Sequence, residues 1–295
     1  NFFASHIDVF PDVSGNLDMF LYDCSSSYGI DELLPFKRKD DTPIIGSIGY
    51  IQERGAKLRA VANPLRLIQF KLSRLKNWLQ LIQKEQYNDC TFDQMKGVIW
   101  AQKKLSEGKK LYSFDLSNAS DTIPFDDQIA LLERIGPDLP DFKEDLQFFK
   151  DIAKCSWLTK HHFDKKKTLT AWVKGQPLGT ACSFGSFSLA HAFRLKQLSM
   201  GLGLFDDFMV LGDDVITTSE LSEAYYSFVT KQWGCPISMP KSLPNATIGE
   251  FASKIIDEKG FFRVVKYAKY KGMFDVKDLK DIFVRYGKRS INLIP

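Results

Sequence analysis

Two adjacent acids, Asp213 and Asp214, stand between the apolar runs Phe208-Met209-Val210-Leu211 and Val215-Ile216-Thr217, with Gly212 just before them. This pattern predicts a β-hairpin with paired carboxylates at its tip. A tight turn gives the carboxylates little freedom and concentrates negative potential, which attracts a divalent cation. Upstream, Leu111 to Leu116 alternates, so that as a strand Tyr112, Phe114 and Leu116 share one face while Ser113 and Asp115 share the other. Asp115 would then supply the third oxygen ligand needed to hold two Mg²⁺ roughly 3.5–4 Å apart, the arrangement that stabilises attacking and leaving oxygens in phosphoryl transfer. Read alone, Gly-Asp-Asp is equally a solvated turn, since both residue types are common in turns.

The elements that must carry these acids can be read from periodicity. Asn63-Pro64 has the form of a helix start, and Leu65, Ile68, Leu72, Leu75, Leu79 and Ile82 then recur at helical spacing with Arg66, Arg74 and Lys76 off the apolar stripe. Pro124 followed by Phe125, Ile129, Leu132 and Ile135 predicts a second helix, closed by Gly136-Pro137. Residues 138–170 read as helical and aromatic until the lysine run 165–167. Gly175-Gln176-Pro177-Leu178-Gly179 predicts a glycine loop leading into a helix that reaches about Leu198. Strands and helices interleave without repeats, which favours an α+β fold.

Other reactive residue types are less informative. His161-His162 lacks Cys or carboxylate partners at ligand spacing and reads as a surface pair, while His191 reads as a packed histidine. The five cysteines (Cys24, Cys90, Cys155, Cys182, Cys235) are scattered with no CxxC pair, so neither a disulfide framework nor a zinc site is expected; Cys182 has no helper base and no nucleophilic role.

The 295 residues are 44% hydrophobic and 26% charged, which excludes a disordered chain and allows a sizeable core. The longest apolar runs are a few residues, far short of the roughly 20 a membrane helix needs. The net charge of +4 is unremarkable, but its distribution is not. Residues 1–36 hold six acids and no Lys or Arg, residues 37–76 hold ten bases against three acids, and Lys254 to Arg289 holds eleven against five. Two basic regions suit a polyanion lying across the fold; solvated helix faces are the alternative. Without an initiating Met or a leader-like segment, the chain reads as an excerpt of a longer polypeptide.

The order of the motifs carries more than any one of them. LYSFDLSNASD at 111–121, GQPLGT at 175–180 and MVLGDDV at 209–215 resemble motifs A, B and C of viral RNA-dependent RNA polymerases, and IQERGAKLRAVANP at 51–64 resembles the basic motif F. With ISMPKS and EFASK downstream, the phrasing is similar to the mitovirus, narnavirus and ourmia-like lineage, with the mitoviruses closest. The resemblance covers roughly residues 45–255. It implies that Asp115 and Asp213 bridge two Mg²⁺, for which Mn²⁺ can substitute, with Asp214 adjacent. Lys57, Arg59 and Arg66 correspond to bases that grip the triphosphate, a task suited to the guanidinium fork. Asp121 corresponds to the acid that recognises the ribose 2′-hydroxyl, the group that distinguishes RNA from DNA. Gly175 and Gly179 would let the loop backbone approach the template. Lys241 falls where the family has its general acid toward pyrophosphate, and Lys254 resembles the primer grip. The motif B helix has no Asn, which leaves Ser183 or Ser186 for that residue's part in sugar selection.

The resemblance further implies a right-hand polymerase with an antiparallel palm sheet packed on helices. Fingers would occupy 1–110, palm motif A 111–124, a fingers insertion 125–174, palm motifs B to E 175–254, and a truncated thumb 255–295. The implied function is template-directed RNA synthesis from rNTPs for viral genome replication, with RNA template and nascent RNA as partners, in the host mitochondrion or cytoplasm. A reverse transcriptase-like polymerase is a rival, although that family typically reads Tyr-x-Asp-Asp where this chain has Leu211-Gly212-Asp213-Asp214. A catalytically silent RNA-binding remnant is another.

Overall fold

The computed structural model describes residues 44–53, 57–160, 167–205, 207–239 and 242–263. In order the elements are β1 (Ile44–Glu53), β2 (Lys57–Pro64), α1 (Arg66–Lys84), α2 (Gln94–Ser106), β3 (Leu111–Asp115), α3 (Ala119–Thr122), α4 (Phe125–Ile135), α5 (Pro140–Lys154), β4 (Ser156–Lys160) and β5 (Lys167–Thr170). They continue with α6 (Ser183–Gly201), β6 (Phe208–Leu211), β7 (Asp214–Thr218), α7 (Ser219–Ser227), a π-helical turn at Phe228–Gln232, β8 (Leu243–Ala246), β9 (Gly249–Phe251), β10 (Lys254–Asp257) and β11 (Gly260–Arg263). Two compact units divide them. Among the described residues, the first takes in 44–49, Val61–Glu85 and Ala119–Ala190; the second takes in Tyr50–Ala60, Gln86–Asn118 and those from His191 onward.

In the first unit, α1 buries Ile68, Leu72, Leu75 and Leu79, the stripe that the periodicity predicts. Its start differs: Asn63 and Pro64 belong to β2, and the helix opens at Arg66 after Leu65, whose N–H donates to the Ile45 carbonyl at 2.9 Å. A strand bond takes the backbone group that a helix start would have used. Arg74 reaches α5 and donates twice to Asp145, at 2.6 and 3.0 Å, and Lys71 meets Glu144 at 2.7 Å. Asp145 is 1% exposed, and burial without such a partner would be prohibitive for its charge. These two bases of the 37–76 cluster therefore serve the packing of one helix on another. Helix α4 runs from Phe125 to Ile135 between Pro124 and Gly136, as read from the sequence.

The segment after Lys154 departs from the helical reading. Ser156–Lys160 and Lys167–Thr170 form an antiparallel hairpin, and β4 also pairs in parallel with β1, giving a mixed sheet of order β2-β1-β4-β5. Trp157, Thr159, Thr168 and Thr170 are β-branched or aromatic, and fit a pleated surface better than a helix. His161-His162 lies outside the described residues.

The second unit is built on an antiparallel sheet of order β6-β7-β3-β8 and a three-stranded sheet β11-β10-β9. Cys90, Val98, Trp100, Ala101, Leu111, Met209, Ile216, Phe251 and Ile256 form one buried cluster that joins α2 to both sheets. Asp93 caps α2 by accepting from the N–H groups of Met95 and Lys96, satisfying two donors that the helix leaves unpaired. Among the described residues no helix is long and apolar enough to cross a membrane.

Candidate active site

The hairpin acids lie in the second unit. Strands β6 and β7 pair from Phe208↔Thr217 to Leu211↔Asp214, leaving Gly212-Asp213 as a two-residue loop. Gly212 has φ 61° at the first loop position, where a type II′ turn requires glycine. The sequence reading put both acids at the tip; in the structure Asp213 is on the turn and Asp214 is the first residue of β7. On the other side of β7, β3 pairs from Leu111↔Thr218 to Asp115↔Asp214. Residues directly opposite in an antiparallel pair project to the same face, so Asp115 and Asp214 face each other with Asp213 on the adjoining turn. All three are partly buried.

Two further contacts fix this edge. The Asp115 carbonyl accepts from the Ser238 N–H at 2.9 Å and the Asp115 N–H donates to Ser242 Oγ at 3.3 Å, while Ser242 Oγ donates to the Ser238 carbonyl. His191, fully buried on α6, bonds through Nδ1 to the Gly212 carbonyl at 2.7 Å and through Nε2 to the Tyr225 hydroxyl at 2.7 Å. A carbonyl only accepts, so Nδ1 carries the proton and Nε2 accepts from Tyr225. Burial pushes the His191 pKa down to about 4, which keeps the ring neutral at pH 7. Burial also raises the Tyr225 hydroxyl well above its ordinary value, with the Asp213 charge a smaller contribution. The packed histidine of the sequence reading is thus packed and also tied to the carboxylate turn.

Oxygen-only donors suit a hard cation such as Mg²⁺, which is held by one or two carboxylates together with substrate phosphates rather than by a closed protein cage. Among the described residues no three Asp, Glu, His or Cys side chains gather into such a cage. Asp115 and Asp214 form a facing pair, with Asp213 as a neighbour on the turn. Cys182 is buried, its thiol pushed up by desolvation, and it is unsuited to nucleophilic chemistry.

The first unit holds a second group of candidates. Gly179 has φ 121°, and a Cβ there would lie 2.1 Å from the Ala62 carbonyl oxygen. The loop is bracketed by Gln69, whose Nε2 donates to the Gly179 carbonyl at 2.7 Å and whose Oε1 accepts from the Ala181 N–H at 2.8 Å. Gly175 presses on α3: a Cβ would lie 2.1 Å from the Ser120 carbonyl oxygen. Asp121 is exposed and accepts a 2.7 Å bond from Trp172 Nε1. Ser183 is 1% exposed and its carbonyl accepts from Gln176 Nε2; Ser186 Oγ donates to Gln128 Oε1 at 2.7 Å. Sequence reasoning missed Gln69, Gln128, Trp172, Ser238 and Ser242.

The basic candidates are dispersed. Lys57 opens β2, Arg59 lies on the same strand, Arg66 opens α1, and Lys254 opens β10 with its Nζ 3.4 Å from the Ala252 carbonyl. Lys241 lies outside the described residues.

Known proteins resemble this chain in sequence and in overall fold. Residues 14–269 match the family described as mitovirus RNA-dependent RNA polymerase. The RNA-directed RNA polymerase of Cryphonectria parasitica mitovirus 1 is 28% identical over 225 residues, 74% of this chain and 26% of that protein. The chain therefore spans about a quarter of the length of the curated relative it matches. Among solved structures, the RNA-dependent RNA polymerase of a human picorbirnavirus superposes with a TM-score of 0.61 at 12% identity, covering 84% of this chain and 54% of that one. Telomerase from Candida albicans, in complex with a fragment of telomeric RNA, gives 0.59 at 11% identity, covering 90% and 54%. These structural likenesses establish the right-hand polymerase fold and are silent on whether RNA or DNA is made. The family match covers most of the chain and settles its kinship: this chain belongs to the mitovirus RNA-dependent RNA polymerases.

Proposed function

We propose that this chain carries the nucleotidyl-transfer centre of an RNA-dependent RNA polymerase, which adds nucleotides from rNTPs to an RNA 3′-hydroxyl in viral genome replication. The observation that carries the reading is the register Asp115↔Asp214 with Asp213 on the adjoining turn. Carboxylates placed directly opposite each other concentrate negative potential, which supports a divalent cation there. Asp115, Asp213 and Asp214 are the residues that would hold divalent ions, Mg²⁺ with Mn²⁺ as a substitute. When bound, two such ions activate the attacking 3′-hydroxyl and neutralise the pyrophosphate that leaves.

The remaining parts follow from the chain's own residues. Lys57, Arg59 and Arg66 meet the triphosphate, Asp121 reads the ribose, and the loop from Gly175 to Gly179 supports the template and incoming base. Lys241 returns a proton to pyrophosphate and Lys254 steadies the primer. Residues 1–110 serve as fingers, 111–124 and 175–254 as palm, 125–174 as a fingers insertion and 255–295 as the start of a thumb. The mitovirus kinship favours work inside the host mitochondrion over the cytoplasm.

Extension of a labelled RNA primer on an RNA template, with rNTPs or dNTPs and Mg²⁺ or Mn²⁺, tests the reading. Extension by the native chain with rNTPs is expected, and Asp213→Asn should abolish it while RNA binding survives. Preference for dNTPs would favour a reverse transcriptase. Equal RNA binding by both proteins with no extension by either would leave a silent binding module.

A further inference from the structure

Sugar selection poses a question that neither Ser183 nor Ser186 answers. Ser186 Oγ is committed to Gln128, inside a buried network that also holds Gln176. Ser183 is sealed in the core and its hydroxyl has no hydrogen-bond partner among the described residues. The group that reaches Asp121 comes from elsewhere. Trp172 Nε1 donates to Asp121 Oδ1 at 2.7 Å across 51 residues of sequence.

We infer that Trp172 is a specificity-determining residue: its indole N–H orients the Asp121 carboxylate so that the second oxygen accepts a hydrogen bond from a ribose 2′-hydroxyl. The inference rests on the reading of Asp121 as the acid that senses the sugar. A carboxylate exposed to water rotates freely about its terminal torsion; a donor fixed to one oxygen removes that freedom. The donor is itself fixed. Trp172 meets the ring of Trp157 edge to face, with centroids 5.8 Å apart and planes at 84°, and Trp157 is fully buried on β4.

The same short stretch grips the backbone that carries Asp121. Gln176 N–H donates to the Ser120 carbonyl at 2.8 Å, the Lys174 carbonyl accepts from Phe125 N–H at 2.8 Å, and Gly175 lies so close that a Cβ would be 2.5 Å from the Asp121 carbonyl carbon. Residues 172–176 therefore hold α3 by its main chain and the acid by its side chain, all within the first unit. A 2′-deoxy sugar offers no hydroxyl to the oriented oxygen, so it gains nothing from the arrangement; a ribose gains a charge-assisted hydrogen bond.

The test compares GTP with dGTP opposite a templating cytosine, by incorporation and by equilibrium affinity on the same RNA primer–template. Four proteins are needed: the native chain, Trp172→Phe, Asp121→Asn and the double variant, each checked for an unchanged melting temperature. Phenylalanine keeps an aromatic ring against Trp157 and removes the N–H donor together with part of the ring's bulk, which the melting temperature monitors. Trp172→Phe should lower the GTP-to-dGTP preference about tenfold, the scale of one hydrogen bond to a charged group. In the Asp121→Asn background the same substitution should change the preference little, because Trp172 acts through that carboxylate. An unchanged preference in Trp172→Phe, an equal fall in both backgrounds, or a native chain that does not favour GTP would each overturn the inference. A native chain that binds GTP in preference but incorporates neither nucleotide would refute the polymerase reading, and the affinities would still decide the role of Trp172.

Discussion

The hairpin that bears Asp213 and the loop between Gly175 and Gly179 are both candidate parts of one reaction, yet they are held by opposite means. Around the hairpin, placement comes from main-chain ladders: β7 is paired on both sides, and Asp115 is tied through its own N–H and carbonyl. The acids' side chains can therefore be changed without removing the bonds that place them. In the loop, placement comes from a distant side chain, Gln69, and from the space left by missing Cβ atoms at 175 and 179. Chemistry and architecture are separable in the first region and joined in the second.

Asp115→Asn should cost about a thousandfold in nucleotide incorporation, the scale for losing a group that acts on developing charge, with a melting temperature within about 2 °C of the native value. A primer-extension rate and a thermal melt on the same preparation decide it. A collapse in melting temperature would show that the acid is part of the architecture after all. Gly179→Ala should behave in the reverse order. Its φ of 121° and the clash with the Ala62 carbonyl oxygen together cost about 4 kcal/mol in urea unfolding, and activity falls because the loop is displaced. Native-like stability in that variant would mean that the loop moves aside cheaply, and the contrast between the regions would fail.

His191 sharpens the contrast because it is a buried side chain bonded to the hairpin turn. Its folded-state pKa of about 4 lies below the ordinary 6.5, so between those values the unfolded chain binds a proton that the folded chain excludes. Its contribution is complete above about pH 6.5 and is lost as pH falls toward 4, by up to about 3 kcal/mol. Urea unfolding at pH 7 and pH 5 should show this loss in the native chain and a shallower one in His191→Asn, which cannot titrate. Equal slopes would place the histidine outside the linkage.

The difference also explains what could be read in the sequence. The carboxylate hairpin was legible because its information is local: apolar runs, a glycine and two acids within ten residues, with strand alternation around Asp115. Helix α4 was legible for the same reason, between Pro124 and Gly136. Trp172, Gln69 and His191 find their partners 51, 110 and 21 residues away, and no spacing marks a side chain whose role is set by the fold. Asn63-Pro64 looks like a helix start because capping preference is also local, whereas the pairing of Leu65 with Ile45 that overrides it is not. The hairpin at 156–170 was misread as helical where aromatic residues blur periodicity over a short span.

The smallest effect expected is the response of the hairpin to Mg²⁺ alone. Asp115 and Asp214 are directly opposite on β3 and β7, so a cation held between them would favour the folded sheet. A cation that binds the folded acids and not the unfolded chain stabilises by mass action, about 1.4 kcal/mol at ten times its dissociation constant, or roughly 2–4 °C in a melt. The native chain should show such a shift in millimolar Mg²⁺, and Asp115→Asn should show little of it, at constant ionic strength. Gln69→Leu, which loosens the glycine loop by removing both of its bonds, should melt lower than the native chain yet keep the full Mg²⁺ shift. Loss of the shift in that variant would mean that the loop helps to form the cation site, and the two regions would then have to be treated as one.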